Sequence, residues 1–192
     1  MMKKTMLLLT ALLSLNGCTT TPINEAELAS ELAQGRRDRD QIITDRNIEA
    51  DCYDELNSDK ELQAQTHINC HAFNSAVLVT GEAPTAALRE KIINTVRLVD
   101  DVKLVHNKIA IAAPSDLQTR AQDAELARNI RAALDKIRSL QGFNPAMVKV
   151  YTEHGVAYLM GKVHRNEGTV AINLVRYQPN VQQIITVFEY LD

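Results

Sequence analysis

Tryptophan is absent from the 192 residues, and aromatic residues make up only 4% of them. That argues against an aromatic-lined ligand groove. The formal net charge is -3, so no excess of basic residues advertises nonspecific nucleic-acid binding. Beyond residue 15 there is no long apolar run, so nothing further along the chain reads as a membrane span. GxSxG, HExxH, CxxC and the phosphate-binding glycine loop are all missing. No enzyme and no cofactor are therefore expected. The content that remains, 45% hydrophobic and 23% charged, is that of ordinary globular protein.

The amino terminus is the most specific segment. Met1-Met2-Lys3-Lys4 is short and positive, and Met6 to Leu15 is apolar apart from Thr10 and Ser14. A charged start followed by about ten apolar residues is an export signal, too short to span a bilayer. Leu15-Asn16-Gly17-Cys18 has the form of a lipobox. Resemblance to lipoprotein signals implies that the Cys18 thiol takes a diacylglyceryl group and that cleavage follows before it. Acyl chains contribute about 0.8 kcal/mol per buried methylene, enough together for firm anchoring. The same resemblance implies sorting to the outer membrane and not the inner, because Thr19, rather than Asp, follows the cysteine. Residues 1–17 are thus read as signal peptide and 18–40 as a lipidated tether. The charge run Gly35-Arg36-Arg37-Asp38-Arg39-Asp40 is expected to be solvated.

The rest of the chain repeats. Ile48, Cys52 and Leu56 form one helical stripe, and Leu126, Ile130 and Leu134 repeat it. Strand positions Ile68, Cys70 and Ala72 correspond to Val148, Val150 and Thr152. Turns at Asn74-Ser75 and His154-Gly155 then lead into Ala76–Gly81 and Val156–Gly161, which predicts two hairpins. A helix follows each glycine. Pro84 lies near the start of the first, and Asn166 is the expected N-cap of the second. Val102, Val105, Ile109 and Ile111 close the first copy; Val181, Ile184, Phe188 and Tyr190 close the second. The expected fold is α+β: two α-β-β-α-β modules, 41–113 and 114–192, each a three-stranded sheet with two helices on one face. The other sheet face is expected to be free for solvent or a partner.

This element order, with Val77-Leu78-Val79-Thr80-Gly81 and Val102-Lys103-Leu104-Val105-His106-Asn107, resembles the BON domain. Tandem copies behind a lipobox resemble dual-BON outer-membrane lipoproteins of the DolP type. The resemblance implies a non-enzymatic protein facing the periplasm. It would bind anionic phospholipid, support envelope integrity and associate with outer-membrane assembly or cell-division proteins. It also implies a lipid contact on the first helix of the second module, read as Asp123 to Ser139, where Arg128, Arg131, Lys136 and Arg138 would meet phosphate. Glu125 stands where these relatives carry an aromatic in that helix's first turn. The other reading of the basic residues is a plain charged helix face, with Glu125 and Arg128 as neighbours. The alternative function is a protein-docking scaffold using free sheet faces or edges.

Two residue sets complete the expectations. Cys52 and Cys70 both point toward the first core, where they form either a disulfide or two buried thiols. His67 and His71 lie four apart on a strand, roughly 13 Å at ~3.3 Å per residue, so they cannot share one zinc. All five histidines are expected to be exposed, with no metal bound.

Overall fold

A computed structural model of the chain describes Leu32 and residues 36–192. The lipobox and Cys18 lie outside those residues. Among the described residues no helix is long and apolar enough to cross a membrane.

The first module runs α1 (Arg39–Ser58), α2 (Lys60–Gln65), β1 (His67–Phe73), β2 (Ala76–Ala83), α3 (Ala86–Arg97) and β3 (Leu104–Ile111). The second runs α4 (Leu117–Leu134), a short 3-10 turn (Pro145–Met147), β4 (Lys149–Glu153), β5 (Val156–Val163), α5 (Arg165–Arg176) and β6 (Gln183–Tyr190). Each sheet has its middle strand, β2 or β5, antiparallel to the strand before it and parallel to the strand after the helix. The two α+β modules are therefore as expected.

The repeated stripes build the two cores. Ile48, Cys52 and Leu56 of α1 pack with Val77 and Val79 of β2 and with Ile92 and Val96 of α3. Leu126, Ile130 and Leu134 of α4 pack with Ala157 and Leu159 of β5 and with Ala171 and Val175 of α5. Side-chain caps fix the helix starts: Asp38 accepts from Gln41 N–H, Thr85 from Leu88 N–H and Asp116 from Thr119 N–H. The cap of α5 is a correction. His164, not Asn166, occupies it, and the Glu167 carboxylate accepts the His164 N–H at 2.8 Å. The first helix of the second module also starts earlier than read, at Leu117, so Glu125 lies well inside it.

One device recurs at each hairpin. Asn74 and Ser75, and likewise His154 and Gly155, have positive φ. In the first module Asp45 of α1 accepts from the Asn74 and Ser75 N–H groups, both at 2.8 Å. In the second, Asp123 of α4 accepts from His154 N–H at 2.8 Å and Gly155 N–H at 2.9 Å. Each helix thus holds its own hairpin turn through a buried carboxylate. The glycines that end the two matching apolar runs are equally constrained. Gly81 has φ +110, and a Cβ there would lie 1.9 Å from the His67 carbonyl oxygen; Gly161 has φ +156 and would meet that of Met147 at 2.1 Å. The backbones cross too closely for any other residue.

The largest correction concerns the second face of each sheet. Neither is free. The outward residues of β1 and β2 pack on those of β4, β5 and β6, and Phe73, Leu78, Tyr158 and Met160 form a third buried cluster across this seam. His71 stacks on Tyr151 with ring centroids 3.5 Å apart. The charge run that enters α1 is solvated only in part: Asp38, Arg39 and Asp40 are exposed, but Arg36 and Arg37 are not. Arg36 binds Glu167 of the second module in a two-pronged pair at 2.6 and 2.7 Å and donates to the Lys162 carbonyl. Arg37 pairs with Asp45 at 2.6 Å and lies over the Phe73 ring.

Asp123→Ala would strand two backbone donors and is expected to cost about 2–4 kcal/mol. Asp123→Asn, which keeps one acceptor, should lose less. Equilibrium urea unfolding measures both, and equal losses would refute the account of the turn.

Candidate functional site

The seam between the sheets is apolar at one end and ionic at the other. Strand alternation explains the ionic end: His67 and Asn69 of β1, Thr80 and Glu82 of β2, and Glu153 of β4 all sit on outward positions, and the opposing module buries them. Glu82 has no exposed surface and Glu153 retains 7%. His67 Nδ1 lies 3.2 Å from Glu82 Oε2 and 3.6 Å from Glu153 Oε1. His154, from the turn of the second module, places Nε2 2.6 Å from Glu82 Oε1. Asn69 donates to Glu153 at 3.0 Å, and the Ser115 N–H donates to Glu82 at 3.0 Å. Ser115 Oγ contacts His67 Nδ1 at 3.2 Å and receives the Arg120 Nε–H at 3.1 Å.

These surroundings shift the acids in opposite directions. Burial pushes the Glu153 carboxyl up to about 7, against the Asn69 hydrogen bond and with help from the Glu82 charge. Burial also raises Glu82, but the Ser115 N–H and the His154 and His67 rings outweigh it, and its carboxyl ends below the ordinary value. Burial and the Arg131 charge lower the His71 imidazole to about 4. The expectation of exposed histidines is thus corrected for three of the five: His67 and His71 face away from their own core, as read, but a second module covers that face, and His106 is half-buried with its imidazole lowered by burial.

The basic residues of the second module divide. All four, Arg128, Arg131, Lys136 and Arg138, are exposed, and they differ in what they contact. Arg128 and Arg131 border a cleft between the modules together with Arg120, His67, Asn69 and His71. Arg131 donates to the Val150 carbonyl on the outer edge of β4, so it has a structural task. Glu49 does the matching work in the first module, accepting the Ala72 N–H at 2.8 Å. Lys136 and Arg138 follow the end of α4, and Arg138 donates to the carbonyls of Asp135 and Ile137. Leu117, in the first turn of α4, is 83% exposed.

Cys52 and Cys70 are free thiols that lie side by side. A thiol hydrogen bond between them lowers the pKa of Cys52 and, with burial, raises that of Cys70.

Sequence reasoning missed Glu82 and Arg36. The signal for Glu82 was present. Ala76–Val79 and Ala157–Met160 are continuous apolar runs, the mark of strands buried on both faces. A charged residue that closes such a run is buried with it.

Two α-β-β-α-β modules on one chain, each with a strand–glycine–helix–strand unit, define a class. The family model for the BON domain matches residues 44–113 and 122–192, and the chain belongs to that family. It is 24% identical over 191 residues to "Outer membrane lipoprotein DolP" of Haemophilus influenzae, covering 100% of this chain and 97% of the relative. It is also 26% identical over 136 residues to "21 kDa hemolysin" of Actinobacillus pleuropneumoniae, covering 71% of this chain and 69% of that one. Among solved structures, the C-terminal domain of the type III secretion protein CdsD of Chlamydia trachomatis matches with a TM-score of 0.30 and 13% identity, over 77% of this chain and 67% of that one.

The His71 shift carries a sign. Its folded value, about 4, lies below the unfolded value of 6.5, so its contribution is complete above pH 6.5 and is lost as pH falls toward 4. Glu153 works in the opposite sense, since its raised carboxyl favours the folded state at lower pH. His71→Phe keeps the stacking and removes only the first effect. Thermal unfolding from pH 7 to 4 should show the variant losing up to about 3 kcal/mol less than the parent. Parallel curves for the two proteins would contradict the assignment.

Proposed function

We propose that the chain is a lipid-anchored envelope protein of the outer membrane, facing the periplasm, whose second module contacts anionic phospholipid and which has no enzymatic role. The supporting observation is the match of the whole chain to a relative named as an outer-membrane lipoprotein, together with the lipobox at Cys18. The anchor brings the modules to a bilayer. Exposed Arg128, Lys136 and Arg138, on and just after α4, offer cations there, each adding about 1 kcal/mol near an anionic surface. Arg131 belongs to the same cluster, but its bond to Val150 makes it a poor probe. Exposed Leu117, on the first turn of α4, supplies an apolar side chain where Glu125 had been read. Docking through a free sheet face loses its basis, because each face covers the other. Association with assembly or division proteins would have to use the helical surfaces or the outer strands β3 and β6.

Arg128→Glu, Lys136→Glu and Arg138→Glu combined should reduce flotation with anionic liposomes at least tenfold and leave the unfolding temperature unchanged. Undiminished flotation would remove this surface and favour a protein-docking role. Cys18→Ala should abolish fractionation with the outer membrane; retention at the parental level would sink the anchor.

An oxidising envelope would also decide the fate of the neighbouring thiols. Cys52 and Cys70 are expected to form a disulfide in the exported protein. Non-reducing alkylation after denaturation, read by mass spectrometry, should leave both unmodified. Alkylation of both without reductant would show two free thiols. The second module carries Ile130 and Val150 at the matching positions, so the fold itself does not require the bridge.

A further inference from the structure

The ionic end of the seam holds a donor set that the lipid-binding reading does not use. His67 Nδ1, Glu82 and Glu153 each offer one ligand atom, and all three atoms lie within 4.8 Å of one another. From His67 Nδ1 the two carboxylate oxygens are 3.2 and 3.6 Å away. A tetrahedral zinc with ~2.0–2.1 Å bonds sets its donors ~3.3–3.4 Å apart. Two of the three separations are thus close to those between corners of such a site, and the third is within 4.8 Å. A second observation is independent of the spacing. Glu82 is fully buried, and its Oε1 accepts no aligned hydrogen bond. The His154 ring nitrogen is 2.6 Å from it, close but off-angle. Two carboxylates buried together need a compensating charge.

We propose that His67, Glu82 and Glu153 bind one divalent transition-metal ion, of the zinc class, between the two modules. His67 Nδ1, Glu82 Oε2 and Glu153 Oε1 are the protein ligands, and water fills the fourth corner. His154 steadies the other oxygen of Glu82. Mixed imidazole and carboxylate donors suit zinc better than calcium or magnesium, which prefer oxygen alone. The ion reaches the site through the inter-module cleft, which His67, Asn69 and Glu153 line. Binding breaks the Ser115 Oγ contact with His67 Nδ1. Arg120, held by that same Ser115 Oγ, stands on the cleft and opposes the incoming charge. Because the ligands come from both modules, the ion would join them as a clip.

The test uses the full chain, chelator-treated and free of any histidine tag, with zinc chloride alone as the probe. Calorimetry should find one zinc per chain, and zinc should raise the unfolding temperature. His67→Ala and Glu153→Gln should each weaken binding at least tenfold, whereas His164→Ala, at the N-cap of α5 and outside the cluster, should not. Absence of stoichiometric zinc, or binding indifferent to both variants, overturns the proposal and leaves the cluster neutralised by protons. Should either variant fail to fold, zinc-edge X-ray absorption on the parent protein decides. Nitrogen and oxygen ligands with an imidazole signature are expected. A sulfur shell would place the ion on Cys52 and Cys70 and overturn the site.

Discussion

A three-stranded sheet has two faces, and two helices can cover only one of them. Everything distinctive in this chain follows from how it disposes of the other. Each module supplies the cover for its neighbour, so β2 and β5 are buried on both sides. Phe73, Leu78, Tyr158 and Met160 meet there, and fully burying such a side chain is worth about 1.5–3 kcal/mol. The same enclosure lowers the dielectric around His71, Glu82 and Glu153. Their perturbed protonation is a by-product of covering a sheet with another sheet.

The two copies keep the devices that make a module and differ in those that join them. Asp45 and Asp123 both hold a hairpin turn, and Gly81 and Gly161 both admit a crossing backbone. After the glycine, though, one copy has Glu82 and the other Lys162. Glu82 is met by the turn residue His154 of the opposite copy. At the other end Asn74, the corresponding turn residue, donates to Glu189, the partner of Lys162 across β5 and β6. Each hairpin turn thus reaches the far end of the other sheet. The internal repeat was free to diverge at these contacts because no module depends on them for its own core.

The parts of the fold that repeat at fixed spacing were legible in the sequence. The helical stripes, both hairpins and both glycines belong to this group, because local geometry imposes their periods. The seam was not legible, because period-two alternation shows only that His67, Asn69 and His71 point away from their own core. It does not say what they point toward. The uninterrupted runs Ala76–Val79 and Ala157–Met160 carried the missing information, since a half-exposed strand would have alternated. Arg36 and Arg37 were misread for a related reason. A short charged run is usually solvated, and these two are drawn in by contacts that include Glu167, 131 residues from Arg36, and Asp45, 8 residues from Arg37. The start of α4 at Leu117 was missed because that leucine lies off the buried stripe and packs on nothing that periodicity could reveal.

The relative placement of the modules is held at both ends of the seam. At the Phe73 end Arg36 grips Glu167 and the Lys162 carbonyl, while the adjacent Arg37 grips Asp45 and covers Phe73. Two consecutive residues thereby fasten opposite modules. At the His67 end the carboxylates and imidazoles of both modules interlock. Between these ends lie the apolar cluster and the His71–Tyr151 stack. Separating the modules would wet the apolar cluster and break the Arg36 pair at once, so partial opening gains little and costs nearly the full amount. The segment that enters α1 therefore meets the body of the protein at the seam and not on one module. A pull transmitted through that segment would be borne by both modules together.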